Sequence, residues 1–480
     1  MARGRAARVG ARVSFLMVLI LSAVIVFAIR PDWNPFPLWW ANFQQGLKEN
    51  RPIADPPTTW VQRTGDPADI AGVISDGDPY ARSVFGSAVI VTTRGHVEAR
   101  ALNDGRQLWI VEASWARPAG DIVVAGRPGS NKGFNVYGPY SATPLWSDDS
   151  ANAVWAYTDK IVDLTCADDV QCVVRGRNHD GRQLWAVTIP GGKPRPSGPN
   201  PTSTGLRPVS DWFDDARKGA PGPAPGVLGV PTGGTMHLVD LIGGVNLRDV
   251  TPPDKDTRMV VAASRVVYAQ AEPVDDSCRY RVWVVDADTG REVWRDEGLD
   301  LNTASRPGCE QRRDPLGGHV LLNGTGGDNR PELNTLAYAT NRTVWVGALG
   351  QKVLDTDGEL AVVLNADQNA VDLIDLSAGN AVVTTVKVAN TPDVAITPGF
   401  VILHDHRHVT VLSRAGSVLR SFTTDAKIIG YGYTGLVLAQ GRVIGYIDLP
   451  VPADDAVIVP PDQGPPPSVA QPTSPVGNRK

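Results

Sequence analysis

A six-residue sequence, DGRQLW, occurs twice in this chain and constrains its fold more than any other feature. It spans Asp104 to Trp109 and then, letter for letter, Asp180 to Trp185. Trp146 lies between the two copies, so the three tryptophans are separated by 37 and 39 residues. Self-similarity at a fixed period is the sequence signature of repeat architectures. We therefore expect a repeat protein whose units are about 40 residues long.

Each repeat unit has the alternating pattern that is typical of β-strands. A short run such as HVEARAL precedes a turn rich in Asp, Asn, Gly or Thr, and a second apolar run such as QLWIVEA follows it. Another apolar run, such as SAVIVTT, lies upstream of most copies. Alternation around tight turns predicts hairpins. About four strands in about 40 residues predict a blade of an all-β propeller. We expect eight four-stranded blades, with seven as the alternative.

The tryptophans at the repeat position are predicted to hold neighbouring blades together. One four-stranded sheet cannot bury both of its faces, so stacked blades must cover one another. A tryptophan would fill the space between two blades, and the turn glycine would allow the close approach. This structural role is assigned to Trp109, Trp146, Trp185, Trp294, Trp345, Gly105, Gly181, Gly290 and Asp286.

The copy VVDADTGREVW connects the repeat to a known family. With Asp286, Thr289, Gly290 and Trp294, it resembles the docking motif [AV]-x-D-x-x-T-G-x-x-x-W of the PQQ-like propellers. The resemblance covers roughly residues 55 to 450. The family includes quinoprotein alcohol dehydrogenases and a non-enzymatic scaffold of the outer-membrane barrel assembly machine. It therefore implies either an oxidoreductase or a scaffold.

The residues favour the non-catalytic branch of this family. Its dehydrogenases hold PQQ at the propeller centre beside adjacent cysteines, with calcium bound by carboxylates. This chain has no adjacent cysteine pair, and no set of calcium ligands can be recognised. Because a fold alone does not imply function, we expect no catalytic residue, cofactor or metal. The leading hypothesis is a protein-interaction, scaffold or ligand-sensing module. The alternative is a PQQ-dependent oxidoreductase, although the residues do not support PQQ or calcium binding.

The N-terminal segment predicts attachment to a membrane. Residues 1–12 form a basic tail, and residues 13–29 are an uncharged, largely apolar run of 17 residues. This length reaches the lower limit for a spanning helix and exceeds the apolar region of a usual secretory signal. Cleavage near Val26-Phe27-Ala28 is the alternative. The basic tail would stay in the cytoplasm, so the propeller would lie outside the cytoplasm on a single-pass anchor.

The rest of the chain divides by composition. A juxtamembrane linker, 30–54, would precede the propeller, 55–450, and the Pro-rich tail, 451–480, is predicted to be disordered. A Pro/Gly-rich insertion, 191–226, interrupts the period and is typical of a surface loop. A formal net charge of −5 argues against a general nucleic-acid binder. The expected partner is an envelope protein or a small ligand.

The four cysteines predict disulfide bonds, because an even count in an exported chain is typical of them. The local pairs Cys166–Cys172 and Cys278–Cys309 are favoured among the three connectivities. A metal site is disfavoured, since there is no CxxC and no histidine lies at ligand spacing to either pair.

Two further motifs suggest metal binding but have simpler interpretations. HDHRH places His404, His406 and His408 at alternate positions, as a zinc-binding strand would. Alignment to the repeat instead puts HDHR on a hairpin turn. DTDGEL, Asp355 to Leu360, begins like a calcium loop but lacks the later ligands of that loop. It also fits a hairpin turn.

Overall fold

The computed structural model describes residues 58–450, with internal gaps. The gaps are 75–87, 94, 114, 131, 168–170, 192–223, 233–234, 255–256, 263, 275–276, 297–298, 301–320, 327–333, 339–344, 398 and 433–434. The predicted basic tail, anchor, linker and C-terminal tail lie outside the described residues, as does nearly all of the insertion. Within the part of the chain that the structure describes, no helix is long and apolar enough to cross a membrane.

The first three blades follow one another along the chain. Blade 1 contains β2 (Ala68–Ile74), β3 (Ala88–Thr93), β4 (His96–Ala101) and β5 (Gln107–Glu112). Blade 2 contains β6 (Ala116–Ala119), β7 (Ile122–Gly126), β8 (Phe134–Tyr137) and β9 (Pro144–Asp148). Blade 3 contains β10 (Ala153–Ala156), β11 (Ile161–Cys166), β12 (Gln171–Arg177) and β13 (Gln183–Pro190).

A sheet of three strands comes next and is followed by two more blades. The three-stranded sheet contains β14 (Val227–Thr232), β15 (Thr235–Asp240) and β16 (Val245–Val250). Blade 4 contains β17 (Thr257–Ala262), β18 (Arg265–Val274), β19 (Ser277–Asp286) and β20 (Glu292–Asp296). Blade 5 contains β21 (Leu299–Asp300), β22 (Leu321–Gly326), β23 (Asn334–Tyr338) and β24 (Trp345–Val346).

The last three blades include one that uses both ends of the described chain. Blade 6 contains β25 (Lys352–Thr356), β26 (Leu360–Leu364), β27 (Ala370–Asp375) and β28 (Ala381–Lys387). Blade 7 contains β29 (Asp393–Ile396), β30 (Phe400–Asp405), β31 (His408–Ser413) and β32 (Val418–Thr423). Blade 8 contains β33 (Lys427–Tyr431), β34 (Gly435–Gln440), β35 (Val443–Asp448) and β1 (Trp60–Arg63).

The described strands confirm an all-β propeller with eight four-stranded blades. Neighbouring strands within each sheet are antiparallel, as tight hairpins require. In blade 8, β1 pairs with β35 in the register Trp60↔Tyr446 to Arg63↔Val443. Strands from the two ends of the described chain therefore complete one blade. The three-stranded sheet is an addition that the predicted blade count did not include.

The core is a series of apolar layers between adjacent sheets. Between blades 1 and 2, for example, Ala88 and Val97 pack with Val123, Ala125 and Tyr137. The first strands of neighbouring blades lie against one another, as β6 does against β2 and β10. Since both faces of most blades are covered, strands such as β3 and β7 are buried along their whole length.

Candidate functional site

A β-bulge recurs in the last strand of most sheets and sets the direction of the docking side chain. In blade 1, Ala99 pairs with Trp109, whereas the next residue, Arg100, pairs with Gln107. The same skip occurs in blades 2, 3, 4, 6 and 7 and in the three-stranded sheet. A bulge re-aims the side chains around it. At each bulge one residue of the last strand has no partner in the register, as Leu108 does in blade 1. In blades 1 to 4, the next residue along the chain is the repeat tryptophan.

Four tryptophans donate a hydrogen bond to the next sheet. Each indole Nε1 reaches a backbone carbonyl oxygen in or beside the turn before the last strand of that sheet. The pairs are Trp60 with Leu102 (2.6 Å), Trp109 with Pro139 (2.9 Å), Trp146 with His179 (2.7 Å) and Trp185 with Leu241 (3.2 Å). Trp60 was not assigned this role from the sequence, because no turn Gly precedes it as in DGRQLW.

The turn glycines lie directly against these indoles. A Cβ added to Gly105 would come within 2.4 Å of the Trp60 ring, and one added to Gly181 within 2.8 Å of the Trp146 ring. Both glycines have positive φ, of 69° and 83°. The positions therefore require glycine for the backbone conformation and for the space.

Other predicted residues lie at the equivalent position with different partners. Trp345 is buried with Val353 and Ile374 of blade 6. Trp294 is half-buried in the last strand of blade 4. Gly290, with φ of 69°, packs under Arg248. Arg248 thus replaces the tryptophan in the three-stranded sheet, and the sequence pattern did not identify it.

Asp286 caps a turn. Its Oδ1 accepts hydrogen bonds from the backbone N–H of Thr289 at 2.8 Å and from the Thr289 hydroxyl at 2.9 Å. The backbone hydrogen bond from Thr289 contributes most to holding the pKa of Asp286 below its ordinary value. Arg265 also pairs with this carboxylate. The motif aspartate therefore shapes the hairpin and is fully engaged within the fold.

The disulfide between Cys166 and Cys172 confirms one of the two predicted pairs. The two residues face each other in the register between β11 and β12, so the bond closes that hairpin. Cys278 lies on β19, and Cys309 lies outside the described residues. The second pair therefore remains a prediction.

Removing this disulfide is expected to lower stability moderately. The bond closes a loop with a sequence separation of 6, and a short loop restricts the unfolded chain by only about 2 kcal/mol. The double variant Cys166→Ala/Cys172→Ala should lose about that much free energy of unfolding in urea denaturation without reductant. As a control, the free energy of unfolding of the variant is also measured with reductant, because a further loss would come from another disulfide. A variant as stable as the oxidised wild type would contradict this prediction.

The histidine motif forms a hairpin, as the repeat alignment predicted. His404 lies on β30 just before its last residue, His406 lies in the turn with φ of 55°, and His408 begins β31. His408 Nε2 lies 3.1 Å from the Ser421 hydroxyl on the next strand. Among the described residues, no group of three or more His, Cys, Asp or Glu could hold a metal ion.

DTDGEL also joins two strands, β25 and β26, and its acidic groups already have partners. Asp357 Oδ2 accepts from Arg414 Nη1 at 2.6 Å, and Glu359 accepts from Arg414 Nη2 at 2.8 Å. Arg414 belongs to blade 7 and also donates to the Thr397 carbonyl at 2.9 Å. The arginine therefore links blades 6 and 7 in the place where a calcium ion would need these oxygens.

A second charged cluster joins blades 2 and 3. Arg177 donates to Asp163 at 2.7 Å and to Asp148 of blade 2 at 3.0 Å, and it lies over the Trp146 ring. Arg175 also donates to Asp163, at 3.1 Å. Burial raises the pKa of Asp163 despite these two arginines. The ion pairs bring a docking tryptophan and two blades together, which is a structural role.

The described residues do not fit the cofactor that the family resemblance implies. The cysteines Cys166 and Cys172 close a hairpin, and the acidic clusters are occupied by arginines. No carboxylate set that could hold calcium is assembled in the described part of the chain. The described cysteines and acidic clusters that such a cofactor would need therefore already have other partners.

One exposed apolar patch lies where blade 3 meets the three-stranded sheet. We define the outer patch as Leu184, Trp185, Ile242 and Val245. Trp185, on β13, is half-buried and packs against Gly244 in the turn that precedes β16. The aliphatic side chains beside it are strongly exposed: Leu184 53%, Ile242 77% and Val245 52%. Strands β13 and β16 lie side by side, and the turn that carries Ile242 directly precedes β16.

The fold and these contacts define a β-propeller of bulged, docked blades. No family model and no curated protein sequence matches the chain. Similar solved structures include a eukaryotic initiation factor (TM-score 0.46, 10% identity, 83% of this chain and 94% of that chain). Saccharomyces cerevisiae Sqt1 is another (TM-score 0.36, 8% identity, 82% and 99%). Chaetomium thermophilum Sqt1 bound to the N-terminus of ribosomal protein L10 has a TM-score of 0.38 at 10% identity, with 82% and 100% covered. Similarity this low carries no argument about function.

Proposed function

We propose that this chain is a non-catalytic interaction module that binds a protein partner through the outer patch and is tethered outside the cytoplasm by its N-terminal segment. The observation that carries the proposal is the group of exposed aliphatic side chains around Trp185. Single exposed apolar residues are normal, whereas contiguous ones are typical of interaction sites. The partner would present an apolar surface of its own.

The scaffold around the patch suits this role. Trp185 is fixed by its hydrogen bond to the Leu241 carbonyl, and Gly244 packs against its ring. Asp240 holds the turn that carries Ile242, since it accepts hydrogen bonds from the backbone N–H groups of Ile242 at 2.8 Å and Gly243 at 3.0 Å. A side chain on a fixed turn loses little freedom on binding, so more of its contact energy contributes to affinity.

Two observations support a location outside the cytoplasm. Residues 13–29 carry no charge and follow a basic tail, and such a tail stays on the cytoplasmic side. The Cys166–Cys172 disulfide suits an oxidising compartment. Protease added to intact cells or spheroplasts should cleave the propeller but leave an N-terminal tag protected. A protected propeller would overturn this part of the proposal.

The outer patch is tested by reversing its polarity. Leu184→Glu/Ile242→Glu should reduce partner recovery at least tenfold in a pull-down of the full chain from its native membrane, measured by quantitative mass spectrometry. A buried, unpaired charge costs more than the about 1.4 kcal/mol that a tenfold change represents.

Val418→Glu is the matched control, because Val418 is also a strongly exposed aliphatic residue on a last strand but lies in blade 7. The amount of partner recovered with this variant should equal the amount recovered with the wild type. Equal recovery by the double variant and the wild type would overturn the outer patch as the binding surface. A wild type that enriches no protein would overturn the interaction role itself.

A further inference from the structure

Two buried hydrogen-bond donors at the first strand of blade 3, Trp155 on β10 and Tyr157 directly after it, lack partners within the described protein. The Trp155 side chain is 3% exposed and Tyr157 is 7% exposed. Neither the indole Nε1 of Trp155 nor the hydroxyl of Tyr157 has a hydrogen-bond partner there. The residues are two positions apart and pack in the same apolar cluster, which also contains Leu228.

The indole of Trp155 differs in this respect from the indoles of the four docking tryptophans. The four docking tryptophans each donate to a carbonyl at 2.6 to 3.2 Å. Buried polar groups are nearly always hydrogen-bonded, because a donor removed from water without a partner destabilises the fold. Two such donors, two positions apart in the chain and in one apolar cluster, therefore indicate a position where an external acceptor atom would be favoured.

A positive charge acts on the same place. Arg117, on the first strand of blade 2, interacts electrostatically with Tyr157 and with Tyr431 of blade 8. Burial lowers the pKa of this guanidinium, although arginine keeps its charge in proteins. Burial also raises the pKa of Tyr157 well above its ordinary value, so its hydroxyl keeps its proton and can donate. The charge of Arg117 lowers the pKa of Tyr157, whereas the charge of Asp159 raises it.

We propose that Tyr157 and Trp155, with the charge of Arg117, form a binding site for a small organic carboxylate beside the first strands of blades 2 and 3. A carboxylate offers two acceptor oxygens, so it can receive the phenol O–H and the indole N–H together. Hydrogen bonds to an ionised acceptor are the stronger kind, and the nearby guanidinium favours a negative ligand over a neutral amide or alcohol. This site shares no residue with the outer patch and does not depend on the proposed partner.

The test compares the thermal unfolding midpoint of the full chain in sodium acetate, hexanoate and benzoate with that in sodium chloride of equal ionic strength. A ligand that binds only the folded state raises the midpoint with its concentration. At least one carboxylate should raise the wild-type midpoint in this way. Tyr157→Phe should lose the rise, because it removes only the donor oxygen. Tyr140→Phe, the same change at an exposed tyrosine, should keep it.

The ligand-free midpoints separate a binding role from a structural one. Tyr157→Phe without carboxylate should unfold at or above the wild-type midpoint, because the ring still packs and the buried hydroxyl is gone. A clearly lower midpoint would show that the hydroxyl stabilises the fold, and it would overturn the proposal. Equal midpoints of the wild type in all four salts would also overturn it, as would an equal carboxylate effect in Tyr157→Phe. Arg117→Gln provides a second variant, which should weaken the carboxylate effect.

Discussion

Replacing Trp109 by alanine is expected to lower the free energy of unfolding by about 3–5 kcal/mol, as for other buried tryptophans cut back to alanine. Trp109 lies in the layer between blades 1 and 2 and is almost fully buried. Its ring stacks on Tyr137 of blade 2 with a centroid distance of 5.6 Å. The change would leave a cavity between two sheets and would remove the hydrogen bond to the Pro139 carbonyl. Urea denaturation followed by circular dichroism measures the loss.

Ile110→Ala is the matched control, because Ile110 is the next residue on the same strand and its side chain is exposed. This variant should change the free energy of unfolding by about 0.5 kcal/mol or less. Similar losses in both variants would show that Trp109 does not anchor the two blades.

Replacing Arg100 by leucine is also expected to cost about 3–5 kcal/mol, because it leaves a buried carboxylate without its partner. Arg100 donates to Glu98 Oε2 at 2.9 Å, and both side chains are almost fully buried. The same guanidinium donates to the Arg63 carbonyl on β1 at 2.8 Å and to the Gly105 carbonyl at 3.0 Å. One side chain thus joins blade 1 to the strand that completes blade 8.

Arg106→Leu is the control for Arg100→Leu, because Arg106 forms an exposed ion pair with Asp104 at 3.7 Å in the same blade. Exposed ion pairs contribute about 0–1 kcal/mol to stability, so the free energy of unfolding of the control should remain close to that of the wild type. A loss below about 1 kcal/mol for Arg100→Leu would show that the buried pair is not needed to join the blades.

The same pair predicts a pH dependence. Burial raises the pKa of Glu98 above 4.5, against the opposing effect of Arg100. An acid with a raised folded-state pKa contributes stability below its unfolded pKa and loses this contribution as pH rises through the folded value. The wild type should therefore lose stability relative to Glu98→Gln as pH rises from about 4.5. Urea denaturation at a series of pH values measures the difference. A constant difference would contradict the shift.

The repeat pattern was enough to predict the blades, because its signals are local. Alternating apolar residues specify a strand, and the turn glycine specifies the hairpin beside it. Gly105 and Gly181 both have the positive φ that the repeated DGR turn requires. The cysteines Cys166 and Cys172 could be paired in advance because they lie close in the sequence.

The contacts between blades were less predictable from residue patterns. Arg248 lies over Gly290 at the position where the other copies have a tryptophan, so the tryptophan pattern could not identify it. Trp60 docks on Gly105 because β1 returns to blade 8, a pairing between residues 378 or more positions apart. A pattern of residues that are close in the sequence cannot predict such a distant contact.

The sequence by itself determined the strands, the tight turns and the spacing that makes them a propeller, since each depends on residues a few positions apart. Only the tertiary structure decided which side chains meet across blades. It placed Gly244 against Trp185, Arg414 on Asp357, and Arg117 within electrostatic reach of Tyr157 and Tyr431. These encounters depend on how sheets twist, bulge and stack, and therefore on packing between distant parts of the chain.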